Sequence, residues 1–196
     1  MIPIKDKMLF YNFLKVTVGP LFKIYYNPKI IGKEYIPTDG PIIVAGNHKH
    51  LYDQCLTILS TKRPLYYMAK SEYFKSKFAW FFKACGCIPV NRDGNDKAAS
   101  NKALEILKSK RALGIFPEGT RNKTKEKLLP FKFGAVSLAK KSDAYIVPFA
   151  ITGEYKFRSK NLTIRFGKPF KTTDNLENDN KKLQDTVLKL MKKSVK

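Results

Sequence analysis

A chain of 196 residues is long enough to bury a full core as one domain. Its 43% hydrophobic and 13% aromatic content exclude wholesale disorder, and no run approaches the roughly 18 consecutive apolar residues of a membrane span. A net charge of +22 calls for an anionic partner, but only six of the 38 basic residues are arginine and no helix-turn-helix, zinc-finger or RNP pattern is present, which argues against nucleic acid.

The first segment lacks the uninterrupted apolar stretch and cleavage site of a signal peptide, so a cytoplasmic protein is expected. Three cysteines, Cys55, Cys85 and Cys87, cannot all pair with one another and read as packed thiols in a reducing compartment. Residues 8–26 are apolar on most sides, with Lys15 and Lys23 at intervals. Gly19-Pro20 interrupts them, which predicts two short helices joined by a bend. Residues 1–28 are therefore expected to form an amphipathic helical hairpin in a membrane interface, lysines towards the headgroups, and residues 29–196 the main domain.

From there strands and helices alternate. "PIIVAG" (41–46) reads as a buried strand, "LYDQCLTILS" (51–60) as a helix and "PLYYMAK" (64–70) as a strand. "SEYFKSKFAWFFKACG" (71–86) predicts one helix begun by serine, and "CIPVNR" (87–92) a short strand. Residues 95–111 carry Ala99, Ala103, Ile106 and Leu107 along one helical face. "ALGIFPEG" (112–119) is a strand running into a turn, "GAVSLAKK" (134–141) a helix, and 144–152 and 161–170 further strands. The chain closes on a helix from Lys181 with Leu183, Val187, Leu190 and Met191 as its stripe. This alternation predicts an α/β domain, a largely parallel central sheet flanked by helices, with site residues in loops after strand C-terminal ends.

Both histidines lie in "VAGNHKHLYDQ" (44–54). His48, His50 and Asp53 could be read as metal ligands, but a catalytic zinc commonly draws histidines from several segments and this chain has no other. As an acid/base pair, His48 and Asp53 are five residues apart, about 140° on a regular helix, so one continuous helix cannot pair them. They can pair if His48 sits in the loop leaving the strand and Asp53 opens the next helix. Asp53 then fixes the imidazole tautomer and stabilises the imidazolium. With no serine or cysteine nearby, such a base would activate a hydroxyl brought by the substrate. His50 is expected to make only a local contact.

"FPEGTR" (116–121) follows a strand directly. Gly119 permits a tight turn whose own amide and that of Thr120 can face an anion, Arg121 offers a fork to phosphate, and Glu118 stands beside it to orient that fork. Lys132 in "FKFG" is a second cationic candidate, and "GCIPVNR" delivers Arg92 to a strand end. "VPFAITG" (147–153) reads as wall.

In this order and spacing, Asn47-His48…Asp53, Gly86 to Arg92, Phe116 to Arg121 and Val147 to Gly153 resemble the four blocks of the glycerolipid acyltransferase family, over about residues 32–153. The Glu-Gly-Thr-Arg form looks most like bacterial 1-acylglycerol-3-phosphate acyltransferases. The resemblance implies that His48 takes the proton of the sn-2 hydroxyl of lysophosphatidic acid, with Asp53 orienting it. It implies an acyl donor on coenzyme A or acyl carrier protein, an acceptor site of Arg92, Glu118 and Arg121, and no metal or other cofactor. It also gives the charge a use, seating a peripheral protein on the anionic cytoplasmic face of the cell membrane. Glycerol-3-phosphate or another lysophospholipid is the alternative acceptor; a basic nucleic-acid-binding module is the more distant alternative, distinguished by steep salt dependence.

Overall fold

A computed structural model describes residues 8–91 and 96–192. Thirteen helices and strands follow one another: α1 (Leu9–Tyr26), β1 (Lys29–Ile31), β2 (Ile42–Gly46), α2 (Asp53–Ser60), β3 (Leu65–Lys70), α3 (Ala79–Ala84), β4 (Ile88–Val90), α4 (Lys97–Lys108), β5 (Ala112–Ile115), α5 (Gly134–Ser142), β6 (Tyr145–Thr152), β7 (Thr163–Phe166) and α6 (Leu176–Lys192). The seven strands form one sheet in the order β1-β7-β6-β2-β5-β3-β4. All neighbours are parallel except β6 and β7. The largely parallel α/β sheet expected from the sequence is thus present.

β2 lies between β5 and β6 and is buried along its whole length. Its side chains alternate between two cores. Ile43 and Ala45 join the apolar stripes of α4, α5 and α6, whereas Ile42 and Val44 join Leu56 of α2 with Val147, Phe149 and Ile151 of β6. The expected stripe of α4 is buried, and Asp96 caps that helix by accepting from the Ala99 amide at 2.9 Å.

Four local expectations are corrected. The hairpin is one 18-residue helix with Pro20 inside it. Proline removes one backbone bond and costs about 3 kcal/mol in a helix interior, which packing offsets here. Gly19 lies so close to α2 that a Cβ would stand 2.5 Å from Leu59 Cδ2, and Tyr11 is buried. Lys15 points inward, donating to the carbonyls of Thr61 and Lys62. Residues 71–86 are split between a 3₁₀ turn (Ser71–Lys75) and the short α3. Ser76 breaks the helix by donating to the Tyr73 carbonyl at 2.8 Å and accepting from the Phe78 amide at 3.2 Å. β1 adds a strand that three residues could not announce. α6 begins five residues early, because Asn175 accepts from the Asn178 amide at 2.9 Å and caps a polar first turn.

The outward face of α1 is apolar and open: Leu9, Phe13, Val16, Leu21 and Ile24 are each at least 60% exposed. Phe10 packs against Trp80 and Phe81, so the exposed Phe78 and Trp80 of the α3 segment adjoin the same face. Among the described residues no helix is long and apolar enough to cross a membrane.

Candidate active site

The site is assembled where β2, β5 and β6 end. Gly46 closes β2 against β6 so tightly that a Cβ there would meet the Phe149 carbonyl at 2.2 Å. Asn47 carries the contact one residue further: its side chain donates to the Ile151 carbonyl at 2.9 Å and accepts from the Ile151 amide at 2.7 Å. His48 follows in the loop, and Asp53 opens α2, the arrangement expected from their spacing.

His48 Nδ1 and Asp53 Oδ2 are 2.8 Å apart. The same Oδ2 accepts from the amides of Lys49 at 2.6 Å and His50 at 2.7 Å, and Oδ1 accepts from the Tyr155 hydroxyl at 2.8 Å. A fully buried carboxylate is therefore satisfied by four donors, which is what burial of a charge requires. As Asp53 accepts from Nδ1–H, the lone pair of His48 lies on Nε2, and no group among the described residues bonds to that atom. The imidazole is stacked on Phe116, with centroids 4.1 Å apart and planes 16° apart. His50, expected to make only a local contact, accepts from the Tyr52 amide at its Nδ1 but also stacks its ring on Tyr155, 105 residues along the chain.

The backbone of His48 is held from the other side by the turn after β5. Its amide donates to Glu118 Oε1 at 2.6 Å, and its carbonyl accepts from the Asn122 amide at 2.7 Å. Glu118 Oε2 accepts from the Leu129 amide at 2.8 Å. Burial raises the Glu118 carboxyl above its usual range, and these amides oppose that shift in part. The sequence suggested that Glu118 orients Arg121 within the acceptor site. Instead it turns inward onto two backbone amides and forms no ion pair with Arg121 among the described residues. A carboxylate with little exposed surface is best satisfied by donors that cannot leave, and backbone amides are such donors.

The Gly119 turn is also corrected in part. Gly119 has φ +71°, as a tight turn needs, but its amide closes the turn onto the Phe116 carbonyl at 2.9 Å and does not face an anion. Lys132 lies over it, with Cε 3.0 Å from where a Cβ would be. Thr120 and Arg121 are exposed on the following loop. Arg92 lies outside the described residues.

His48, Gly119 and Lys132 line one cleft of about 720 Å³ over the C-terminal ends of β3, β4 and β5. Its walls include Met68 of β3, Val90 of β4, Leu104 of α4 and Leu138 of α5, while Lys97 and Lys141 add positive charge. Thr120 and Arg121 stand beside this cleft but not in its lining. The three cysteines are free, and burial pushes the thiols of Cys55 and Cys85 up to about 11 and that of Cys87 up to about 12. Sequence reasoning missed the parts played by Tyr155, Phe116 and Asn47. Asn47 could have been suspected from its place between a buried strand and the histidine; nothing local marks Tyr155.

The chain as a whole, with its half-buried His48 on the buried Asp53, is similar to several known proteins. The chain is 29% identical over 170 residues to the 1-acyl-sn-glycerol-3-phosphate acyltransferase of Bacillus subtilis, covering 84% of each. It is 31% identical over 141 residues to the protein of that name from Borreliella burgdorferi, covering 70% of this chain and 56% of the other. The crystal structure of the 1-acyl-sn-glycerophosphate (LPA) acyltransferase PlsC from Thermotoga maritima shares the fold, with a TM-score of 0.78 over 98% of this chain and 84% of that one at 24% identity. The family model for acyltransferases matches residues 27–152, the stretch that runs from β1 through β6 and contains both His48 and the Glu118 turn. The chain belongs to the acyltransferase family.

Proposed function

We propose that the protein transfers an acyl group from a thioester to the sn-2 hydroxyl of 1-acyl-glycerol-3-phosphate, giving phosphatidic acid for phospholipid synthesis. The observation that carries this reading is His48: Nδ1 is bound to Asp53, Nε2 has no protein partner among the described residues, and the residue lines a large, partly apolar cleft. A base without a neighbouring protein nucleophile acts on a hydroxyl that the substrate supplies. The names of the related proteins point to the same acceptor.

Nε2 accepts the sn-2 hydroxyl proton as that oxygen attacks the thioester carbonyl. Asp53 holds the imidazolium that results, and its four donors fix the carboxylate in place. The tetrahedral adduct collapses, the C–S bond breaks, and the imidazolium returns its proton to the thiolate. Proton transfer of this kind contributes about 10²- to 10⁴-fold. Arg121, Lys132 and the Thr120 amide, joined by Arg92, are the groups assigned to the acceptor phosphate. Glu118 supports that loop from behind, and Gly119 shapes it. The donor is an acyl group on coenzyme A or on acyl carrier protein. The apolar face of α1, flanked by Lys23, seats the protein peripherally on the cytoplasmic leaflet, where each basic residue near an anionic surface adds roughly 1 kcal/mol.

A panel of acceptors and donors in mixed micelles tests the reading. Turnover on lysophosphatidate, lost in His48→Ala, is expected. Turnover confined to glycerol-3-phosphate or another lysophospholipid would reassign the acceptor. Absence of any acyl transfer, with steeply salt-dependent binding to duplex DNA, would replace the reading by a nucleic-acid module.

A further inference from the structure

Tyr155 lies three residues beyond the end of β6 and 102 residues from Asp53, yet its hydroxyl donates to Asp53 Oδ1 at 2.8 Å. Burial and then the adjacent Asp53 carboxylate raise its phenol, so it remains a donor. The ring is wedged in an aromatic cluster. It stacks on His50 at 4.5 Å between centroids and meets Tyr26 at 5.6 Å and Phe22 at 6.5 Å, both edge-on. Phe22 and Tyr26 are half-buried residues in the last two turns of α1, on the side opposite the exposed apolar face. The loop that carries Tyr155 is tied to the same helix again: the Arg158 amide donates to the Tyr25 carbonyl at 2.6 Å, and Phe157 packs edge-on against Tyr25 at 5.1 Å. Asp53 therefore has one oxygen held by its own loop and one held by a side chain whose position depends on α1.

We infer that Tyr155 is a positioning residue for the His48–Asp53 pair, and that α1 sets its position through Phe22 and Tyr26, so that the seat of the amphipathic helix is coupled to the alignment of the base. The inference rests on the acyltransferase reading above. The hydroxyl contributes no contact to substrate in this account. It fixes the rotation of the Asp53 carboxylate, and through Oδ2 the direction in which His48 Nε2 presents its lone pair.

Tyr155→Phe removes one oxygen and keeps the ring. In the mixed-micelle assay, kcat is expected to fall roughly 10- to 100-fold while KM for acceptor and donor stays within about twofold, because alignment and not binding is disturbed. An unchanged kcat, or a loss confined to KM, would overturn the inference. A second readout needs no turnover: the downfield proton resonance of the His48 Nδ1–H, identified by its absence in His48→Ala, should shift in Tyr155→Phe. An unshifted resonance overturns the positioning role even if the wild-type protein acylates none of the acceptors, and lack of wild-type activity alone counts only against the reaction. Phe22→Ala should lower kcat in the same direction, and the double variant Phe22→Ala/Tyr155→Phe should lose less than the product of the single effects. Multiplicative losses would remove α1 from the chain of contacts.

Discussion

Replacing Glu118 with glutamine separates two roles for this residue, ligand of the acceptor or internal support. Glutamine matches the side chain in shape but presents one acceptor and one donor to two amide donors, those of His48 and Leu129. One amide keeps its partner, while the other meets an N–H₂ group. Loss of a charge-assisted bond is worth about 1.5–3 kcal/mol, and a stranded buried donor adds to it. Against this stands relief of a buried carboxylate whose ionisation burial disfavours. A net destabilisation of about 2 kcal/mol is expected, a fall in Tm of roughly 4–8 °C for a chain of this size. Because the His48 amide is one of the two, kcat should fall as well, with KM for lysophosphatidate little changed. Differential scanning fluorimetry and steady-state kinetics on the same preparation decide the matter. An unchanged Tm with a raised acceptor KM would refute the support role and return Glu118 to the acceptor site.

His48→Ala should reduce kcat by at least about 10³-fold with the circular dichroism spectrum unchanged, since the backbone bonds of residue 48 to Glu118 and Asn122 remain; substantial residual activity would exclude it as the base. Leu21→Ser with Ile24→Ser removes about 3 kcal/mol of apolar contact with a bilayer, so partitioning onto anionic vesicles in a sedimentation assay should weaken roughly 100-fold with Tm unaltered. Unaltered partitioning would remove α1 from the membrane. Cys55, with its thiol raised to about 11, is protonated in the fold where an unfolded chain would ionise. Its contribution to stability is therefore present at neutral pH and is lost as pH rises from about 9 towards 11. Urea unfolding of Cys55→Ser should show less decline across that window than the wild type; equal declines would assign the loss elsewhere.

The order of elements was legible because each carried its own period. β2 is apolar without a break, as a strand buried on both faces must be, and α4 shows its stripe at Ala99, Ala103, Ile106 and Leu107. The pairing of His48 with Asp53 was legible for a geometric reason: a strand, a short loop and a helix start allow it, where a continuous helix does not. What the sequence concealed depended on partners distant along the chain. Pro20 announces a bend when viewed alone, but Gly19 lies against Leu59 and the helix continues. Ser71 looks like the helix start in 71–86, while Ser76 interrupts it through bonds to Tyr73 and Phe78. Glu118 beside Arg121 reads as a charge pair, and only the fold reveals that the His48 backbone, 70 residues away, lies closer to its carboxylate oxygen. Tyr155 has no local signature, since its partner belongs to another strand's loop.

His48 is anchored by contacts from three strand ends: Asn47 at β2 gripping Ile151 of β6, and Glu118 and Asn122 after β5 gripping its own amide and carbonyl. Leu104 and Leu138, which wall the cleft, sit on α4 and α5 and make none of those bonds. The molecule thus keeps the nitrogen proposed as the base and the apolar wall of the cleft in separate mechanical parts. Bulkier or smaller side chains on the two helices can resize the cleft while His48 stays in register, so under the proposed reaction the volume offered to an acyl chain is set independently of the alignment of the base.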